Sequence, residues 1–167
     1  MLITETYREL NAELHRRVSH YGTFGHEWAA KVEELAADLR ASTVLDYGCG
    51  KGSLAKALSL PCAEYDPAIP GKDAMPEPAD LVVCTDVLEH VEIECVDAVL
   101  SHIGSLAQMA ALICVSCIPG SKRLADGRRA HITIRDPSWW RERLNEIGVI
   151  TEIEPLRRGE YACIVKP

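Results

Sequence analysis

A run of glycines at alternate positions, directly after an apolar segment, is the clearest chemical feature of this sequence. Residues 43–47, TVLDY, predict a short buried strand that contains Asp46, and Gly48, Gly50 and Gly52 follow it. Alternating glycines allow a tight turn, leave room for a ligand against the backbone and present N–H groups at a helix N-terminus. A dinucleotide-binding fingerprint has two residues between its second and third glycines, and here only Lys51 separates them. Residues 48–52, the glycine loop, are therefore predicted to bind a ligand.

Two acidic residues beyond the glycine loop could bind polar groups of the same ligand. Asp66 lies 20 residues after Asp46, at the end of the predicted strand 62–66. A carboxylate there can accept two hydrogen bonds from a ribose diol, and capping the following proline-rich turn is its alternative role. Asp73 is a weaker candidate for contact with an adenine amino group, with a solvated loop acid as the alternative.

The hydrophobic pattern predicts the elements that must position these residues. Helices are expected at 4–19, 26–40, 53–60, 92–108 and 136–147, and strands at 43–47, 62–66, 80–85, 111–118, 149–154 and 160–165. Their alternation indicates an α/β fold with a mostly parallel sheet covered on both faces. A short turn at 156–159 makes the last two strands a hairpin, so one strand should be antiparallel. Ligands of such sheets bind at the carboxyl ends of the strands.

Length and composition narrow the class of protein. The chain has 167 residues, 47% of them hydrophobic and 26% charged, which fits one globular domain and excludes a disordered or fibrous chain. No apolar run reaches the ~20 residues that cross a bilayer, and no secretory signal is recognisable. Seven scattered cysteines favour a reduced, cytoplasmic protein over a disulfide scaffold. The net charge of −7 argues against a nucleic-acid binder that uses its whole surface.

A Cys-x-x-Cys pattern at Cys114 and Cys117 does not predict a metal site. It falls in a predicted strand, where side chains three positions apart point to opposite faces. No second cysteine or histidine pair has zinc-finger spacing. No metal is therefore expected from the sequence.

Two blocks of the sequence resemble motifs of the class I S-adenosylmethionine-dependent methyltransferases. Residues 44–52, VLDYGCGKG, look like motif I, and residues 79–91, ADLVVCTDVLEHV, resemble a strand-and-loop block of the type 11 and type 12 branches. Small proteins of this kind also occur among phage and prophage genes. The resemblance implies a Rossmann-like, seven-stranded sheet with an antiparallel seventh strand. Only 13 residues separate Asp66 from Asp80, so the third family strand is expected to be missing or shortened.

The resemblance also implies a cofactor, S-adenosylmethionine, and the residues that hold it. A single methyltransferase domain is expected over 1–167, with N-terminal helices in 1–40, a cofactor-binding half in 41–118 and an acceptor-side half in 119–167. The implied contacts are Gly48, Gly50 and Gly52 with the methionyl part, Asp46 with the ammonium group, Asp66 with the ribose, Asp73 with Ala74 and Met75 beside the adenine, and Thr85, Asp86 and Val87 at the sulfonium.

Methyl transfer itself requires little from side chains, because the methyl sulfonium is already electrophilic. The protein mainly aligns the acceptor with the sulfur and excludes water. A base is needed only when the acceptor must lose a proton. Tyr21, His90 and His131 are the candidate bases, and a structural role is the alternative for the histidines.

Two further segments are candidates for enclosing the ligands. Residues 20–28 combine aromatic rings with two glycines, a composition suited to a lid, with an inert turn as the alternative. The loop Gly120–Arg129 carries four basic residues against one acid, which favours a small anionic acceptor. The expected acceptor contacts are Arg128, Arg129, Trp139 and Trp140, where packing of both tryptophans in the core is the alternative.

Two other functions stay open at the level of sequence. One is a catalytically silent protein that binds S-adenosylmethionine or S-adenosylhomocysteine, which turnover with any acceptor would exclude. The other is a nicotinamide-dependent oxidoreductase. Titration with S-adenosylmethionine and with the nicotinamide cofactor would distinguish it from a methyltransferase.

Overall fold

A six-stranded mixed sheet forms the centre of the molecule, and the computed structural model describes all residues from 1 to 167. The strands are β1 (Val44–Tyr47), β2 (Cys62–Tyr65), β3 (Ala79–Thr85), β4 (Ala107–Ser116), β5 (Val149–Ile153) and β6 (Glu160–Lys166). Their order in the sheet is β2-β1-β3-β4-β6-β5. β1 to β4 pair in parallel, and β6 is antiparallel to both β4 and β5. The predicted Rossmann-like architecture, with its antiparallel C-terminal strand, is confirmed.

The third strand of the family sheet is absent, as the short spacing between Asp66 and Asp80 predicts. Residues 67–78 connect β2 to β3 without forming a strand. They turn back through hydrogen bonds from Ile69 N to Asp66 O and from Asp66 N to Lys72 O. A connection this short has no room for both a covering helix and another strand. β2 is consequently one edge of the sheet.

Five α-helices accompany the sheet, and one predicted boundary between helix and strand is wrong. The helices are α1 (Glu5–Arg17), α2 (Ala29–Leu39), α3 (Ser53–Ala57), α4 (Val96–Leu106) and α5 (Pro137–Leu144). The helix predicted over 92–108 begins at Val96 and ends at Leu106. β4 then begins at Ala107, four positions before the predicted strand start at 111, because Ala107 pairs with Ala79 of β3. Pairing with a neighbouring strand has overridden the local helical pattern.

Both faces of the sheet are buried. Alternate side chains of β4 enter different apolar cores: Ile113 packs in the core that contains Trp140 of α5, and Leu112 in the core that contains Trp28 and residues of α2. A smaller apolar cluster joins Tyr7 of α1 to the segment after β4. None of the helices combines the length and hydropathy needed to cross a bilayer. The division of the domain at residues 40 and 118 stays a prediction.

The central strand β4 offers a test of this core. We expect Leu112→Ala to lower the free energy of unfolding by about 2–5 kcal/mol, because it leaves a cavity at a fully buried position. Met109→Ala, on the same strand but 38% exposed, should change it far less. Urea denaturation of both variants measures the difference. Equal effects of the two substitutions would contradict the placement of Leu112.

Candidate functional site

A cavity of about 630 Å³ lies at the carboxyl ends of β1, β2 and β3. Pockets of ~300–1,000 Å³ are typical of small-molecule sites. The segments that follow these strands and β4 line the cavity, and residues of α1 and of the segment 20–25 add another wall. Of the residues predicted from sequence, those that line it are Tyr21, Asp46, Gly48, Gly50, Asp66, Thr85, Asp86, Val87, His90 and His131.

The glycine loop packs closely against neighbouring protein groups, which fill the space that a Cβ would occupy. Gly48 has φ 80°, and a Cβ there would overlap the side chain of Val87. Gly50 has φ 52°, and a Cβ there would lie 2.7 Å from the Cα of Gly22. Gly52 does not line the cavity; a side chain at that position would collide with the ion pair between Glu64 and Lys72. The third glycine is therefore required for packing.

Asp46 presents a buried carboxylate at the start of the glycine loop. It lines the cavity with 4% of its surface exposed and accepts no hydrogen bond from another side chain. Burial raises its pKa to about 7, with a further contribution from the negative charge of Glu64. A cationic group of a ligand would stabilise the ionised form.

Asp66 caps the turn after β2 and also lines the cavity, while its contact with a ribose stays a prediction. Its Oδ1 accepts a hydrogen bond of 2.9 Å from Ala68 N, so it does cap the turn after β2. Its Oδ2 accepts a hydrogen bond of 3.1 Å from Gly50 N. Each oxygen therefore keeps a second lone pair, and Asp66 lines the cavity. Asp73, by contrast, lies outside the cavity and accepts a hydrogen bond from Gly71 N.

The opposite end of the cavity contains an arginine that the sequence analysis missed. Asp86 has φ 56°, an uncommon left-handed conformation, and burial raises its pKa. The Arg157 guanidinium lies 3.4 Å from its carboxylate and also pairs with Glu27 and Glu160. Arg157 sits in the turn between β5 and β6. That turn reaches this edge of the sheet because β6 begins opposite the end of β4.

The three candidate bases lie together, with His90 in contact with both of the others. The Tyr21 hydroxyl lies 3.3 Å from His90 Nδ1, and the rings of His90 and His131 meet edge to face at 4.7 Å. Burial lowers the pKa of His90 to about 3 and raises the pKa of Tyr21 well above its usual range. At neutral pH His90 is therefore an uncharged imidazole and Tyr21 an uncharged phenol.

Glu89 lies beside His90 and His131, and its carboxylate was not predicted from the sequence. Glu89 lines the cavity yet has no exposed surface, and neither carboxylate oxygen has a hydrogen-bond partner. Burial raises the pKa of the carboxyl well above its usual range. Residues 79–91 of the motif-like block contain Glu89, but its burial and its unpaired oxygens follow from tertiary packing.

The segment predicted as a lid does line the cavity. Tyr21, Gly22, Phe24 and Gly25 all contribute to the wall. The segment is tied to the glycine loop by Lys51, whose N–H donates to the Gly22 carbonyl at 2.8 Å. Whether it acts as a lid stays a prediction.

None of the four predicted acceptor contacts reaches the cavity. The Arg128 guanidinium pairs with an aspartate of its own loop, 2.7 Å away, and Arg129 donates to a backbone carbonyl of that loop. Trp140 is fully buried in the core, and Trp139 packs against it beneath an arginine of α5. The start of the same loop does line the cavity, through Gly120, Ser121 and Lys122.

Comparison with known proteins identifies relatives. A family model described as a methyltransferase domain matches residues 18–146. The solved complex of DhpI with S-adenosylhomocysteine is 20% identical, covers 96% of this chain and 95% of its own, and has a TM-score of 0.66. Magnesium protoporphyrin IX methyltransferase from Synechocystis, with S-adenosylhomocysteine bound, is 21% identical, with coverages of 84% and 80% and a TM-score of 0.57. The mitomycin 7-O-methyltransferase MmcR is 17% identical, with coverages of 84% and 54% and a TM-score of 0.56. No curated protein matches this sequence.

The sheet topology and the glycine loop define a class I methyltransferase. Because the family model covers most of the chain, the protein belongs to the methyltransferase domain family. Enzymes of this family take the methyl group from S-adenosylmethionine, which is therefore the cofactor.

The raised pKa of Asp46 leads to a pH-dependent affinity. An ammonium group prefers the ionised carboxylate, and below pH 7 the free protein must first lose the proton. We expect the affinity for S-adenosylhomocysteine to be constant above about pH 8 and to fall about tenfold for each pH unit below 7. Calorimetry from pH 5 to 9 measures this dependence. Asp46→Asn should bind more weakly and lose this slope, and a flat profile in the unaltered protein would contradict the role of Asp46.

Proposed function

We propose that this enzyme transfers the methyl group of S-adenosylmethionine to a small anionic acceptor that binds beside Lys122 and Arg158. One observation carries the proposal: a single cavity connects the glycine loop to these two cations. The names of two relatives, which specify magnesium protoporphyrin IX and mitomycin, support a small molecule over a nucleic acid.

The cofactor half of the cavity fits its ligand. The buried carboxylate of Asp46 is free to bind the ammonium group, and the open lone pairs of Asp66 are available to the ribose diol. Gly48 and Gly50 line the cavity, so their backbone is available to the methionyl part. When bound, the cofactor supplies an electrophilic methyl group on a sulfonium.

The opposite half positions the acceptor. Val87 and the uncharged rings of Tyr21 and His90 surround the space beyond the glycine loop and exclude water from it. Such alignment contributes on the order of 7–11 kcal/mol to a bimolecular transfer. Where the acceptor must lose a proton, an imidazole nitrogen with a free lone pair can take it.

Lys122 and Arg158 are the cations that fit an anionic acceptor. Both line the cavity, and neither pairs with a carboxylate; Lys122 Nζ contacts His20 Nε2 at 2.5 Å. Arg157 differs because three carboxylates already surround it. Arg128 and Arg129, the acceptor contacts predicted from the sequence, are held within their own loop, so Lys122 and Arg158 are the better candidates for this role.

The ribose contact is tested by a matched pair of aspartates. Asp66→Ala should weaken binding of S-adenosylhomocysteine by roughly 2–4 kcal/mol, because it removes two charge-assisted hydrogen bonds. Asp73 lies outside the cavity, so the Asp73→Ala variant should have a dissociation constant within about twofold of that of the unaltered protein, a difference of about 0.4 kcal/mol. Calorimetric titration measures both constants. Loss of affinity in Asp73→Ala alone would instead place the adenosine against the loop 67–78.

The acceptor site is tested by charge removal once screening has identified a methylated product. Lys122→Ala with Arg158→Ala should raise KM for the acceptor and weaken its salt dependence, while cofactor affinity stays within about twofold. Arg128→Ala with Arg129→Ala is the matched control and should leave KM unchanged. A neutral acceptor, or an effect confined to the control pair, would refute the assignment. Binding of the cofactor without turnover in the screen would favour the silent binding protein.

A further inference from the structure

We propose that Glu89, His90 and His131 form a binding site for one divalent transition-metal ion at the acceptor end of the cavity. One carboxylate oxygen of Glu89 and one ring nitrogen of each histidine lie within 4.8 Å of one another. All three side chains line the same cavity. The set of two imidazoles and one carboxylate is typical of sites that hold zinc, manganese, cobalt or iron(II).

The carboxylate of Glu89 is the first independent reason to expect a cation. The side chain has no exposed surface, and both of its oxygens lack a hydrogen-bond partner. Buried polar groups in proteins are almost always paired, because an unpaired buried charge is costly. Arg157 pairs with Asp86, Glu27 and Glu160 and forms no salt bridge with Glu89. A metal ion would supply the positive partner that Glu89 lacks.

The hydrogen bonds of the two histidines are the second reason. His90 Nδ1 lies 2.9 Å from the Ala130 carbonyl, and His131 Nδ1 lies 3.0 Å from the Ile118 carbonyl. A carbonyl can only accept, so each Nδ1 carries the proton and each Nε2 keeps its lone pair. This arrangement, with one ring nitrogen bonded to a backbone carbonyl, is the usual way in which proteins fix a metal-binding imidazole.

The backbone holds the two segments of the site together. Glu89 and His90 lie in a 3-10 turn after β3, whereas His131 follows the basic loop. The N–H groups of Ile132 and Thr133 both donate to the Glu89 carbonyl, at 2.9 and 3.0 Å. These two hydrogen bonds hold His131 next to the turn that carries Glu89 and His90.

A cation bound there would retain open coordination positions toward the cavity. Oxygen atoms of an anionic acceptor are suitable ligands for those positions, and their charge matches that of the ion. The role toward the acceptor rests on the proposed function, whereas the metal site rests only on the three side chains.

The test is a titration of the full-length protein, treated with a chelator, with Zn²⁺, Mn²⁺, Co²⁺ and Mg²⁺ in the absence of cofactor. We expect one Zn²⁺, Mn²⁺ or Co²⁺ per chain by calorimetry, a visible Co²⁺ absorption spectrum with nitrogen ligation, and weaker binding of Mg²⁺. Glu89→Gln and His131→Gln should each lower the affinity at least about 100-fold, since loss of even an indirect partner costs about 10–100-fold.

Control measurements separate loss of the metal site from loss of the fold. His102→Gln removes a histidine outside the cavity and should bind the metals normally. Circular dichroism verifies that each variant is folded, and the spectrum of Co²⁺ in the unaltered protein tests ligation without any substitution. Failure to bind these ions at about 1 mM, or binding that survives both substitutions, would overturn the site. Binding of S-adenosylhomocysteine to the same metal-free protein is measured separately, so failure of the metal site is distinguishable from failure of the proposed function.

Discussion

Buried carboxylates without a cationic partner in the protein are the constraint on which this site depends. Asp46 and Glu89 are almost fully buried on one cavity, and neither forms a salt bridge. For Asp46, a pKa near 7 in place of 3.8 means that ionisation in the folded chain costs on the order of 4 kcal/mol. The folded chain therefore loses stability as the pH rises from 3.8 to about 7, and a cation that binds the ionised group restores it. The surroundings of these two carboxylates therefore favour groups that carry positive charge.

Close packing of glycines determines where those ligands can lie. Gly22 and Gly50 approach each other closely: a Cβ at Gly50 would overlap the Gly22 backbone, and a Cβ at Gly22 would overlap the His15 ring and lie 3.1 Å from the Gly50 Cα. This contact connects the N-terminal wall to the glycine loop and closes the cavity above β1. Gly50 N of the same loop donates to the Asp66 carboxylate, so the loop, the wall and Asp66 form one unit.

Features that depend on local pattern could be predicted from the sequence, and features that depend on loop packing could not. Strand alternation and the glycine loop are local, and the missing strand follows from the number of residues between Asp66 and Asp80. The acceptor side is different: Arg128 and Arg129 point back into their own loop because an aspartate and a carbonyl within ten residues satisfy them first. Lys122 and Arg158 pair with no carboxylate, and both line the cavity.

The two histidines connect acceptor chemistry with metal binding. Each has a single lone pair, because its other ring nitrogen donates to a carbonyl. An ion bound by both lone pairs removes His90 and His131 as bases. The positive charge of the ion would then lower the pKa of an acceptor group bound to it, as metals do for bound water. Base catalysis by these histidines and metal binding by them therefore exclude each other, and the cation titration distinguishes between the two.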